Sequence, residues 1–188
     1  MIAAAPDETT KLLLTVLWNT GGRITEVLEL KPNDLLPPDC IKMLNEKQVK
    51  VPKGAFRRKE YKFVYVPESV ILDIESYAAA RGMAQNAYVF QGRQPGKPMN
   101  RATAYRRLIR LSKDRNLTRE RETEQHPYYE TGLYPHLWRH GYAVNLMDQG
   151  TGVGVIKDQL GHKSLATTTI YAKVSDGVRR AAVRNASF

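Results

Sequence analysis

The chain has 188 residues, 29 Lys plus Arg against 19 Asp plus Glu, and a formal net charge of +10. With 42% hydrophobic and 26% charged residues it has the balance of a folded chain with one sizeable core, not of a disordered one. Its longest apolar run, Leu12 to Trp18, is broken at Thr15 and falls far short of the ~20 residues a membrane span needs. The N-terminus lacks the basic-then-apolar order of a signal peptide, and the single cysteine, Cys40, excludes an internal disulfide framework. These features predict a soluble, cytoplasmic, basic protein with no membrane partner.

Pro6-Asp7-Glu8 opens a helix with acids in its first turn, and Leu13, Leu14, Leu17 and Trp18 recur at helical spacing up to the stop at Thr20-Gly21-Gly22. A short second helix carries Ile24, Val27 and Leu28, and Lys31 to Asp34 reads as a loop. Strands are predicted at 41–43, 48–52 and 61–66; in the last, Tyr61, Phe63 and Tyr65 alternate with Lys62, Val64 and Val66. A long basic hairpin tip, Lys53 to Glu60, separates the last two strands. After Pro67 a helix runs through Val70, Leu72, Ile74 and Tyr77 to about Arg81, and a basic helix spans 101–115 with Leu108, Ile109 and Leu111 for its core. Residues 118–134 are polar and without period, which reads as a loop or insertion. Helix resumes at Pro135, with Leu137, Val144 and Met147 as apolar positions, until Gly150; another spans 153–160 and ends at Gly161, and Ser164 caps a last one through Tyr171. The fold class is α+β, mainly helical with a small antiparallel sheet, in a single domain.

The net charge suits a polyanionic partner, since Lys and Arg release the counterions condensed on phosphates. The basic residues lie in separate clusters: Lys53, Arg57, Arg58, Lys59 and Lys62; Arg101, Arg106, Arg107, Arg110, Lys113 and Arg115; and Arg179, Arg180 and Arg184. Several clusters fit a surface that wraps DNA better than one basic tail does.

Some motifs fail on spacing. Gly92 to Gly96-Lys97 has three residues between its glycines and Pro98 after the lysine, where a P-loop needs four and a Ser or Thr. Gly150, Gly152 and Gly154 follow a helix, not the strand of a dinucleotide fold. His136 and His140 are four apart, as in zinc proteases, but Leu137 stands where the catalytic Glu belongs. Neither a metal nor a cofactor is predicted.

His136, Arg139 and His140 fall on one face of one helix, where such groups repel each other unless an anion sits among them. Read alone, they fit a pair of core histidines beside a surface arginine equally well. Three further blocks change that: Thr20-Gly21-Gly22-Arg23 with Glu26, Lys53-Gly54, and Leu160-Gly161-His162 followed nine residues later by Tyr171. In order and spacing the four blocks resemble the tyrosine recombinases, the family of phage integrases and chromosome-dimer resolving recombinases. The blocks span nearly the whole chain. Trp138 departs from the usual Leu between His and Arg and reads as an apolar substitution in the core. The hairpin is longer than is usual in the family.

The resemblance implies attack by Tyr171 on a DNA phosphodiester, giving a 3′-phosphotyrosine and a free 5′-hydroxyl, then strand exchange and religation without ATP. It implies that Arg23 and Arg139 clamp the non-bridging oxygens, that His162 donates to the phosphate, and that His136 assists proton transfer. Lys53 is then the acid for the leaving 5′-oxygen, with Lys59 the alternative on the same loop; Glu26 and His140 support the cluster without touching DNA. Arg57, Arg58, Lys59, Arg101, Arg106 and Arg107 are the candidate DNA-backbone contacts. Double-stranded DNA is the implied partner, with a homo-tetramer on two sites as the working form and a monomer in its absence. The N-terminal clamp domain common in the family is expected to be absent, and 172–188 to pack on a neighbouring protomer. A type IB topoisomerase and a non-catalytic DNA-binding regulator are the alternatives.

Overall fold

The structure, a computed structural model, describes residues 5–46, 60–114 and 135–162, with 112–114 and 136 described by backbone alone. The expected strand at 48–52, the hairpin tip, the 118–134 segment, the helix ending at Tyr171 and the tail lie outside these residues.

Helix α1 (Glu8–Thr20) is the centre of the molecule. Asp7 caps it, accepting from the Thr10 amide at 2.9 Å and from the Thr10 hydroxyl at 2.8 Å. Leu12, Leu13, Leu14, Val16 and Leu17 are all buried, so almost the whole circumference faces protein. Helices α2 (Ile24–Leu28), α3 (Glu68–Ala79) and α5 (Pro135–Asp148) pack around it, and α4 (Arg101–Asp114) packs on α2.

The sheet has three antiparallel strands in the order β1 (Leu35–Leu36), β2 (Cys40–Leu44), β3 (Tyr61–Tyr65). The two-residue β1 is too short for a periodic signal; its pairing with β2, Leu35 opposite Ile41, defines it. Ile41 faces Val64 and Met43 faces Lys62, which puts these four side chains on the inner face. Tyr61, Phe63 and Tyr65 take the outer face and are 46%, 56% and 62% exposed. The far edge of β3 is covered by α6 (Val153–Leu160): the Gln159 amide donates to the Tyr65 carbonyl at 3.1 Å and accepts from its N–H at 3.0 Å.

Among the described residues the helices form where the periodicity predicts, but some inward faces differ. In α3 the buried set is Val70, Ile71, Ile74 and Ala78, and Leu72 is exposed, because 70, 74 and 78 share a helix face and 72 does not. In α4 Ala104 joins Leu108 and Leu111, while Ile109 is only half-buried. In α5 Leu137 points outward, and Trp138, Tyr142, Ala143 and Met147 make the core. Trp138 is buried as expected, meeting Trp18 edge to face at 5.9 Å between ring centroids. The glycine-rich piece at 92–97 is a tight turn whose Gly92 N–H bonds the Lys97 carbonyl. Among the described residues two apolar clusters result: a large one from α1 to α4 with the sheet and Trp138, and a small one of Tyr142, Ala143, Met147, Ile156 and Leu160 between α5 and α6. Among the described residues no helix is long and apolar enough to cross a membrane.

Candidate active site

The site begins where α1 ends. Gly21 takes φ +57°, and its N–H bonds the Leu17 carbonyl. A Cβ there would lie 2.4 Å from Tyr142 and 2.8 Å from Leu160, so only glycine lets this turn touch both α5 and α6. The buried Thr20 hydroxyl locks the turn, donating to the Val16 carbonyl and accepting from the Gly22 amide. Arg23 follows as the residue before α2.

Glu26, 1% exposed, is the hub. Its Oε1 accepts from Arg23 Nη1 at 2.7 Å and from the Glu46 amide at 3.2 Å. Its Oε2 accepts from the Arg23 amide at 3.0 Å and lies 3.0 Å from Lys62 Nζ. Four donors fill the capacity of one carboxylate. Burial alone raises such a carboxyl, but the Lys62 charge and the Arg23 hydrogen bonds outweigh it and hold Glu26 below the usual range.

Arg139, 4% exposed, reaches across from α5: Nη1 donates to the Gly21 carbonyl and Nη2 to the Leu160 carbonyl, each at 2.7 Å. One guanidinium thereby holds the Gly21 turn, 118 residues away from it in sequence, to the end of α6. Leu160 closes α6, and Gly161, at φ +68°, turns the chain so that His162 follows into the cluster. Burial first, then Arg139, Arg23 and Lys62, push the His162 imidazole from 6.5 down to about 4. It is therefore neutral at pH 7, with one N–H to donate and one nitrogen to accept.

Lys62 is the residue that sequence reasoning missed. It belongs to the basic surface cluster there, yet it is 7% exposed, because strand alternation turns it inward beside Val64. Its Nζ bonds the Leu160 carbonyl at 3.1 Å as well as Glu26. Burial pushes its ammonium down to about 8; Glu26 opposes this, and Arg139 and Arg23 add to it. What places it is the β2–β3 register, which sets position 62 opposite the buried Met43 and is a feature of the fold.

Arg23, Glu26, Arg139 and His162 are thus brought together by the fold. His136 lies one turn before Arg139 on α5, its side chain outside the described residues, and His140 is half-buried on the same helix. Lys53, Arg57, Arg58, Lys59 and Tyr171 also lie outside them. Of the α4 arginines, Arg101 and Arg106 are exposed, Arg106 bonding back to Ala102 and Thr103 of its own helix. Arg107 instead pairs with Asp7 at 2.9 Å and bonds Thr10. Arg23, with a quarter of its side chain exposed, is the cation through which the cluster opens to solvent. Among the described residues, three cations and a neutral imidazole around one carboxylate make a site suited to a further anion.

Comparison with known proteins gives a family and a fold. The model of the phage integrase family matches residues 1–177. The tyrosine recombinase XerC of Lacticaseibacillus casei is 28% identical over 172 residues, which cover 90% of this chain and 51% of that protein; the chain spans about half the length of that relative. The fold matches the XerA recombinase with a TM-score of 0.71 at 24% identity, covering all of this chain and 62% of that one. It also matches the Tn1549 transposon integrase in complex with circular intermediate DNA, with a TM-score of 0.67 at 21% identity, covering 94% of this chain and 59% of that one.

Proposed function

The chain belongs to the phage integrase family, and from that premise we propose that it is the catalytic part of a site-specific DNA recombinase. The observation that carries this reading is the convergence of Arg23, Arg139 and His162, from three distant segments, on one cluster with Glu26 at its hub. In this reading the scissile phosphate is the missing anion. Arg23 and Arg139 bind its non-bridging oxygens, a task suited to the planar, always charged guanidinium. Neutral His162 donates a further hydrogen bond, and the group of charges stabilises the extra negative charge of the transition state.

Tyr171 is the nucleophile: its oxygen bonds to phosphorus, the P–O5′ bond breaks, and the tyrosine proton leaves through His136. Lys53, or Lys59 on the same loop, protonates the departing 5′-oxygen. A second 5′-hydroxyl reverses the step onto a new strand, and the phosphotyrosine conserves the energy of the broken bond. Glu26 holds Arg23, and His140 supports the α5 end of the cluster. Arg57, Arg58, Lys59, Arg101 and Arg106 contact the DNA backbone. Arg107, already paired with Asp7, would have to exchange that partner for a phosphate. The working assembly is a homo-tetramer on two DNA sites, formed from monomers.

The test is covalent capture. The protein is mixed with nicked duplexes from its source DNA, denatured in SDS, and assayed for attached DNA beside Tyr171→Phe. Attachment that disappears in the variant is the expected result. Attachment that persists removes Tyr171 as nucleophile; DNA binding with no attachment favours a regulator. Relaxation of supercoiled plasmid lacking any specific site favours topoisomerase activity.

A further inference from the structure

Lys62 is used by nothing in the mechanism above, yet it lies at the mechanical centre of the site. Its ammonium is shared between a carboxylate on α2 and the last carbonyl of α6. Those two acceptors are also the anchors of the phosphate-binding cations: Glu26 holds Arg23, and the Leu160 carbonyl holds Arg139. The Lys62 stem packs against Gly161. A Cβ at Gly161 would lie 3.0 Å from its Cδ and 3.0 Å from Asn45 Oδ1, so the glycine that turns α6 toward His162 also makes room for the lysine stem. With 6% of its side chain exposed, Lys62 is turned into the protein, where its ammonium meets Glu26 and the Leu160 carbonyl.

We propose that Lys62 is a positioning residue for the recombinase site: its ammonium ties the Arg23–Glu26 turn to the Arg139–Leu160 turn and so sets the spacing of the two arginines and His162 around one phosphate. This rests on the function proposed above. A passive ion pair is a weaker account. A buried pair is often no better for stability than apolar residues of the same volume, and Ile41, Met43 and Val64 beside it show that this face accepts such residues. What an apolar residue cannot do is bond to two turns at once. Charge fits as well. Arg23, Lys62 and Arg139 against Glu26, with His162 neutral, leave two positive charges among the described residues. A phosphodiester passing through a pentacoordinate state carries two negative ones.

The test replaces the charge and keeps the volume. Lys62→Met and, should it fold poorly, Lys62→Gln are compared with the wild-type chain on a pool of end-labelled nicked duplexes of randomised sequence. Adduct formation at saturating DNA is expected to fall by ~10²-fold, as for loss of one transition-state donor. Affinity for an intact duplex should change little, and rates are compared at temperatures where each variant is folded, since Glu26 loses a buried charge partner. The charged groups facing Lys62 are Glu26 and Arg23 on the α2 side, Arg139 from α5, and His162 after α6. Because Lys62 loses its proton near pH 8, the wild-type advantage over Lys62→Met should shrink as pH rises through that value. Equal rates, or a deficit that does not vary with pH, overturn the proposal. Should the wild-type chain form no adduct, the recombinase reading fails, and positioning is decided by an NMR titration of His162. Its midpoint should rise in Lys62→Met if the lysine is coupled to the site; an unmoved midpoint overturns the proposal.

Discussion

The packing around α1 and the packing around Glu26 lie only a few residues apart along the chain and obey opposite rules. Leu13, Leu14 and Leu17 have no exposed surface and belong to the large apolar cluster, so each is stabilised by area removed from water. Glu26, Lys62 and Arg139 are nearly as buried and are charged; each is tolerated because hydrogen bonds compensate its desolvation. The apolar region accepts any residues that fill its volume. The charged region has no spare acceptor on Glu26 and is specific for atoms, not for volume. Binding sites are built from the second kind of packing because a phosphate is recognised by charges held in place before it arrives.

The sharpest way to break this contrast is Glu26→Gln. It leaves the Lys62 ammonium buried without its carboxylate, and stability should fall by ~3–5 kcal/mol in urea melts. Adding Lys62→Met should restore much of that loss while adduct formation stays low. If Glu26→Gln is neutral for stability, the hub is not a buried ion pair in solution. Next in size, Leu13→Ala should cost ~2–5 kcal/mol through lost burial and a cavity. At temperatures where it remains folded, its adduct rate should equal that of the parent chain. A large catalytic loss in Leu13→Ala would show that the two regions are coupled.

The smallest effect concerns pH. The folded-state value for His162 lies below its unfolded value, so the unfolded chain binds more protons between pH 6.5 and about 4. Stability should therefore rise with pH across that window and fall on acidification. With the imidazole half exposed, solvent screening reduces the effect to ~1 kcal/mol. Denaturant melts at pH 4.5 and 6.5 should show a smaller pH difference in His162→Gln than in the parent chain. The Glu26 contribution has its own window at lower pH: it is present above the unfolded carboxyl value of 4.5 and disappears as the lower folded value is crossed. An unchanged pH difference in His162→Gln would mean that the cations around it are screened.

The sequence by itself determined the helices and the order of the reactive blocks. Asp7 and Gly21 delimit α1, Gly161 ends α6, and apolar spacing marks the segments between. These signals are local: a cap or a left-handed glycine acts within one turn of chain. They also place Arg23, Glu26, Arg139 and His162 on recognisable turns and helix ends. Only the tertiary structure decided which face of β3 is inside. The three aromatics that by hydrophobicity belong in the core stand outside, and Lys62, which composition assigns to a basic surface, is buried. Alternation along one strand has two phases, and the sequence does not choose between them; pairing with β2 and cover from α6 do. Arg107 makes the same point, since a cation in a basic helix pairs with Asp7 only because α1 begins beside it. Where a charge goes depends on what the fold brings within hydrogen-bond reach, and those partners lie far away in the chain.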